Sequence, residues 1–125
     1  MPSSHEFGRE SEQAAARFLG QAGYRIVARN YRDRFGEVDL IAYDGPTLVF
    51  VEVKARRTGR FGAPSEAVTL RKQTRLTKAA MRYLAASHAA EPPCRFDLVV
   101  IDASARPDAP RIELLKNIFS PEWRA

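Results

Sequence analysis

Apolar positions along the chain recur with two different periods. Phe7, Ser11, Ala14, Ala15, Phe18, Leu19 and Ala22 fall on one arc at 3.6-residue spacing, which predicts a helix over residues 4–22 that Gly23 terminates. Residues 24–32 (YRIVARNYR) then alternate with period two, placing Ile26, Ala28 and Asn30 opposite Val27, Arg29 and Tyr31, as in a strand. Residues 37–43 (EVDLIAY) and 48–55 (LVFVEVKA) are rich in β-branched and apolar residues. Asp44-Gly45-Pro46 lies between them, and this turn chemistry predicts a β-hairpin. A loop rich in Arg, Gly and Pro covers about 57–65. Thr69 is placed to cap a second helix over 70–86, whose buried side carries Leu76, Ala80, Tyr83 and Leu84. The run 95–102 (RFDLVVID) reads as a central strand buried on both faces, and a weaker strand follows at 112–116. The order is helix, three strands, helix, one or two strands, with an irregular end and no internal repeat.

Length agrees with that count of elements. A chain of 125 residues is expected to form one domain, its core over about 4–118, large enough to bury a core without disulfides or a structural metal. No apolar run approaches the roughly 20 residues of a membrane span, and the opening segment is polar where a signal peptide needs an apolar stretch. A cytoplasmic protein with no membrane partner is the expectation. The single cysteine, Cys94, and two histidines, His5 and His88, offer no zinc spacing, so any metal must be held by carboxylates. Cys94 and Trp123 read as packing residues.

Charge changes the picture more than composition does. The net charge is +5, but residues 54–82 hold nine basic residues and one acidic, giving +8; the other 11 basic and 14 acidic residues give −3. One continuous stretch therefore supplies the whole positive excess, which points to an anionic polymer as partner. Arg71, Arg75, Lys78 and Arg82 form one stripe on the second helix, either a solvated basic face or a phosphate-backbone contact. Arg56, Arg57 and Arg60 follow the hairpin directly and are the stronger candidates for phosphate contact; Lys72 adds to the same charge. Tyr31, Phe61 and Tyr83 could stack on bases, though aromatics at such spacing more often belong to a core.

The hairpin holds the candidate chemistry. If Asp44–Thr47 form the turn, Tyr43 pairs with Leu48, Ile41 faces Phe50, Asp39 faces Glu52 and Glu37 faces Lys54. Like charges opposed on a sheet are destabilising. A hard divalent cation explains such a pair, since magnesium is usually held by one or two carboxylates with waters and substrate phosphate oxygens. An ordinary network in which Glu37 and Lys54 pair, and Lys54 relieves both acids, explains it as well.

Asp39, twelve intervening residues, then Glu52-Val53-Lys54, behind a helix with a glutamate at its inner edge, resembles the PD-(D/E)xK nuclease superfamily. More closely, RNYRDRFGEVDLIAYDG, LVFVEVKARR, FGAPSEAVTLRKQTRL and RFDLVVID resemble the bacterial YraN-like family of endonuclease-type proteins, related to archaeal Holliday junction resolvases. The similarity runs from about Gly8 to Ile118. It implies an α/β fold with a restriction-endonuclease-like αβββαβ core, a mixed central sheet flanked by helices. It further implies that Asp39, Glu52 and the Val53 carbonyl bind Mg²⁺ or Mn²⁺, that Lys54 is the catalytic lysine, and that Glu12 completes the acidic cluster. Gln73 lies where some relatives place a polar residue near the site. Val38 stands at the superfamily's proline position, and Ser11 stands where glycine is expected before Glu12.

Two of these residues have other readings. Glu12 is either in the cluster or a surface glutamate paired with Arg9, and the Gln73 amide either reaches the carboxylates or satisfies backbone groups at a strand end. The resulting expectation is a metal-dependent endonuclease acting on DNA, branched DNA included, as a homodimer. The alternatives are a non-catalytic nucleic-acid-binding protein that keeps the fold, and an enzyme for small phosphorylated substrates.

Overall fold

A computed structural model of the chain describes residues 4–57, 68–87 and 91–121, with side chains from residue 8 onward. The roles expected of Arg60, Phe61, His88 and Trp123 lie outside the described residues, as does most of the 57–65 loop and the His5 side chain. The elements run α1 (Ser4–Gln21), β1 (Arg25–Arg32), β2 (Glu37–Asp44), β3 (Thr47–Arg56), α2 (Leu70–Ser87), β4 (Cys94–Asp102) and β5 (Arg111–Leu115). This is the expected order, and the mixed α/β arrangement is consistent with a restriction-endonuclease-like core.

The strands form one sheet in the order β1-β2-β3-β4-β5. Three neighbouring pairs are antiparallel; β3 and β4 are parallel, so the chain must cross over between them, and α2 lies in that connection. Alternation along the inner strands sends side chains to two cores. Leu48 and Phe50 of β3 join Phe96, Leu98 and Val100 of β4 against Leu76, Ala79 and Ala80 of α2. Val49 and Val51 join Val99 and Ile101 against Ala15, Ala16 and Leu19 of α1. The sheet is thus covered by one helix on each face, which explains why β4 reads as a continuous apolar run.

Local signals account for the element ends. Gly23, at φ 96°, follows α1, and Tyr24 N–H donates back to the Leu19 carbonyl at 2.9 Å, the helix-ending pattern that a left-handed residue permits. Gly45, at φ 60°, and Pro46 form the two-residue loop between the Asp44↔Thr47 pair. Thr69 Oγ1 accepts from the Lys72 amide at 3.2 Å, capping α2 as expected.

β1 departs from strict alternation. Its register against β2 shifts between Ile26 and Ala28, so Val27 is the extra residue of a bulge. Ile26 faces the α1 core whereas Val27 and Ala28 both pack toward the α2 core, so Ile26 and Ala28 do not share a face. Gly36, in the β1–β2 turn, is buried against α2. A Cβ added there would lie 2.3 Å from the Arg75 carbonyl oxygen and 2.9 Å from the Ala79 nitrogen, so only glycine lets the turn and the helix approach this closely.

Candidate active site

The hairpin register is the expected one from the turn inward: Tyr43↔Leu48, Ile41↔Phe50 and Leu40↔Val51. Those are the last paired rungs on that side. Val38 packs in the same core as Ile41, three residues along, which strict alternation forbids, so β2 turns over next to Asp39. The Asp39 side chain takes the place of the next rung: its Oδ2 accepts a 2.7 Å hydrogen bond from the Val53 amide. Asp39 and Glu52 therefore meet where the ladder opens, with the backbone of Val53 between them.

Asp39 is half-buried and Glu52 is buried. Burial, and then the neighbouring Glu52 charge, push the Asp39 carboxyl up to about 7; the Val53 hydrogen bond opposes this, while the charges of Glu12 and Glu37 add to it. Burial also raises Glu52, against the opposing ammoniums of Lys72 and Lys54. Glu12, on α1, thus lies within electrostatic reach of Asp39. Lys54 acts on Glu52 from the same strand, and Glu37 presses on both acids from the exposed start of β2.

Sequence pattern placed Lys72 among the phosphate-binding cations. Its Nζ instead lies 3.2 Å from Glu52 Oε1, so α2 delivers a second lysine to the acidic pair. The signal was present in the periodicity: Lys72 precedes Leu76 by four residues and Ala80 by eight, on the arc that faces the sheet. Gln73 turns the other way at the start of the helix. Its Nε2 donates to the Val68 carbonyl at 3.2 Å, satisfying backbone at the entry to α2.

Other cations are partly engaged within the protein. Arg56 pairs with Asp102 across the β3–β4 rung at 3.0 Å; the Ser104 hydroxyl and amide, which both donate to Asp102, and then Arg56 hold the Asp102 carboxyl down at about 2. Arg82 is ion-paired with Asp33. Arg71 and Lys78 are exposed on α2, Arg75 is half-buried beside Gly36, and Arg57 is half-buried just beyond β3. Tyr31 and Tyr83 meet edge to face at 5.4 Å in the α2-side core, which takes both out of base stacking.

A second polar cluster lies under α1. Asp97, 0% exposed, accepts from Arg95 Nε at 2.9 Å, Tyr24 Oη at 3.1 Å and the Asn117 amide at 3.0 Å, while Arg95 also donates to Asp44 at 2.8 Å. Every side is satisfied, as a buried charge requires. The pattern behind it is Arg95 and Asp97 at i and i+2 on one strand face, within RFDLVVID.

Among the described residues, no three Asp, Glu, His or Cys side chains form a ready-made metal cage. Two carboxylates that repel each other still match a hard oxygen-ligand cation. Magnesium in particular is commonly completed by water and substrate phosphate rather than by an all-protein cage. Among the described residues no helix is long and apolar enough to cross a membrane.

Comparison with known sequences gives a consistent result. The model of the uncharacterised protein family UPF0102 matches residues 11–101. A UPF0102 protein from Symbiobacterium thermophilum is 54% identical over 117 residues, covering 93% of this chain and 98% of its own length. Relatives from Syntrophus aciditrophicus, 48% identical over 90% of this chain and 87% of theirs, and Desulfosudis oleivorans, 46% over 96% and 94%, carry the same family description.

Proposed function

The chain belongs to UPF0102, the YraN family, and from its acidic pair we propose that it is a divalent-metal-dependent nuclease hydrolysing phosphodiester bonds in DNA, branched DNA included. The observation that carries this reading is the juxtaposition of Asp39 and Glu52 at the open end of the β2–β3 ladder. Their mutual repulsion and burial are a standing cost that a fold without a use for them would shed.

Asp39, Glu52 and the Val53 carbonyl would hold Mg²⁺ or Mn²⁺, with Glu12, whose charge acts on Asp39, completing the acidic cluster. The ion, when present, supplies charge neutralisation at the phosphate and lowers the pKa of water. Within the chain, the Val53 amide keeps one Asp39 oxygen turned toward β3, and Lys72 holds one oxygen of Glu52. Lys54 would position the attacking water or offset charge on the phosphate. Arg57, Arg60, Arg71, Arg75 and Lys78 would guide the polyanion, with Arg56 set by Asp102 at the edge of the site. A four-way junction offers two equivalent strands, so a symmetric homodimer belongs to this reading.

The Lys72–Glu52 pair favours a second reading. It supplies an internal cation to the site, as a binding protein that has kept the fold without cleavage would need. Cleavage assays with Mg²⁺ and Mn²⁺ on linear, flapped and four-way-junction DNA separate the two. Activity lost in Asp39→Asn and Lys54→Ala, with folding and DNA binding retained, supports the nuclease; binding without cleavage under any of these conditions supports the binder.

A further inference from the structure

The turn between β1 and β2 displays an aromatic ring that the core does not use. Phe35 is 42% exposed at its tip, and Met81, on α2, is 48% exposed. The two line one shallow pocket together with Lys78 and Arg82. The turn is held firmly: Asp33 Oδ1 accepts from the Phe35 amide at 2.8 Å and the Gly36 amide at 3.1 Å, and Asp33 N–H donates to the Gly36 carbonyl at 2.9 Å. Asp33 also binds Arg82, and Gly36 is pressed against the α2 backbone, so turn and helix form one unit. Guanidinium groups lie over the ring, Arg34 at 4.7 Å and Arg82 at 5.2 Å from its centroid.

An apolar floor with a cationic rim is complementary to a ligand that has flat apolar faces and an anionic edge. Single-stranded nucleic acid is bound by this combination of aromatic platform and basic groove. A second copy of this chain is a poor match, because a twofold contact through the patch would set Arg34, Lys78 and Arg82 against their own equivalents.

We propose that Phe35 and Met81 form a seat for an unpaired nucleobase, with Lys78 and Arg34 taking the adjoining phosphates. This rests on the reading of DNA as partner and adds a source of structural selectivity. Bases in a continuous duplex are stacked on one another and present no free face, so only a flap, a gap or a branch point can fill the seat. The four-residue reach from Phe35 to Asp39 spans at most about 14 Å. At about 3.4 Å per nucleotide along a strand, the unpaired base would lie within about four nucleotides of the phosphate at the acidic pair. The base takes the ring surface that Arg34 covers: Arg34, at the exposed end of the turn, moves from the ring to a phosphate, while Arg82 stays anchored by Asp33.

The test measures binding without cleavage, by fluorescence anisotropy in EDTA, on a flapped DNA and a blunt duplex of equal length. A second flapped DNA carries 2-aminopurine at unpaired positions next to the branch. For Phe35→Ala, affinity for the flapped DNA is expected to fall roughly 10- to 100-fold, with less than about a twofold change on the blunt duplex. Phe35→Trp is expected to retain flap affinity and to quench 2-aminopurine. If the wild-type protein binds DNA and Phe35→Ala binds flapped DNA equally well, the seat is refuted while the DNA reading stands. A change in sedimentation of Phe35→Ala with unchanged flap binding would assign the patch to self-association and refute it too. Failure of the wild-type protein to bind any DNA overturns both.

Discussion

The ammonium of Lys72 lies 3.2 Å from Oε1 of Glu52, joining the first turn of α2 to the open end of the β2–β3 ladder. The pair is unequal: the Lys72 side chain is 38% exposed and that of Glu52 12%. Lysine at this position offsets the desolvated carboxylate from the solvent side. It also links the position of α2 to the electrostatics of the site.

Replacing Lys72 by Met leaves Glu52 buried with less compensation. Because the lysine is partly solvated, the expected loss is about 1 kcal/mol at pH 7, read from urea denaturation. The Mg²⁺-induced rise in Tm should be larger in Lys72→Met than in the wild type, since the ion then supplies the missing charge. An equal or smaller rise would show that the ion does not share Glu52 with Lys72.

Asp39 predicts a pH dependence of opposite sign to the usual acid denaturation. Its folded carboxyl, pushed up to about 7, holds a proton that the unfolded chain releases near 4. Between those values the folded state binds more protons, so its contribution is present below about pH 4 and is lost as pH rises toward 7. The wild type should therefore lose stability relative to Asp39→Asn over that window, at up to ~1.4 kcal/mol per pH unit. Urea denaturation from pH 4.5 to 7.5 reads the difference, and added Mg²⁺ should reduce the slope. A flat difference would mean that Asp39 is ionised throughout.

Gly36→Ala tests the approach of the β1–β2 turn to α2. A methyl group 2.3 Å from the Arg75 carbonyl cannot be accommodated without moving the helix, and overpacking of this kind costs about 1–3 kcal/mol or somewhat more. Chemical denaturation measures the loss. Because Lys72 rides on the same helix, the effects of Gly36→Ala and Lys72→Met should be non-additive.

Asp97→Ala leaves Arg95, Tyr24 and the Asn117 amide without their shared acceptor under α1. Breaking a buried charge pair typically costs about 3–5 kcal/mol, a large share of the stability of a small protein. Replacing both members, Arg95→Met with Asp97→Leu, should cost less than the sum of the two single changes by more than about 1 kcal/mol. Additive losses in urea denaturation would show that the ion pair is not the unit.

Pattern and turn chemistry are local, and they were sufficient for the elements. Gly23 ends α1, Gly45-Pro46 sets the hairpin, and Thr69 caps α2, because each acts on backbone groups within a few residues. Period two along β3, together with the turn, determined the hairpin register as far as Leu40↔Val51, and that was enough to bring Asp39 near Glu52. Tertiary structure decided what local rules do not contain. The bulge at Val27 and the turnover of β2 beside Asp39 fit a twisted sheet between two helices, so strict alternation fails there. The partner of Lys72 depends on where α2 lands on the sheet, which Gly36 and the parallel β3–β4 pairing govern over long chain separations. Tyr24, Arg95 and Asp97 likewise become one network only when the end of α1 meets β4. Residue type and spacing specify which chemistry the chain carries, whereas the packing of distant segments specifies which charges meet, because desolvation and Coulomb energy depend on distance in space and not on separation in sequence.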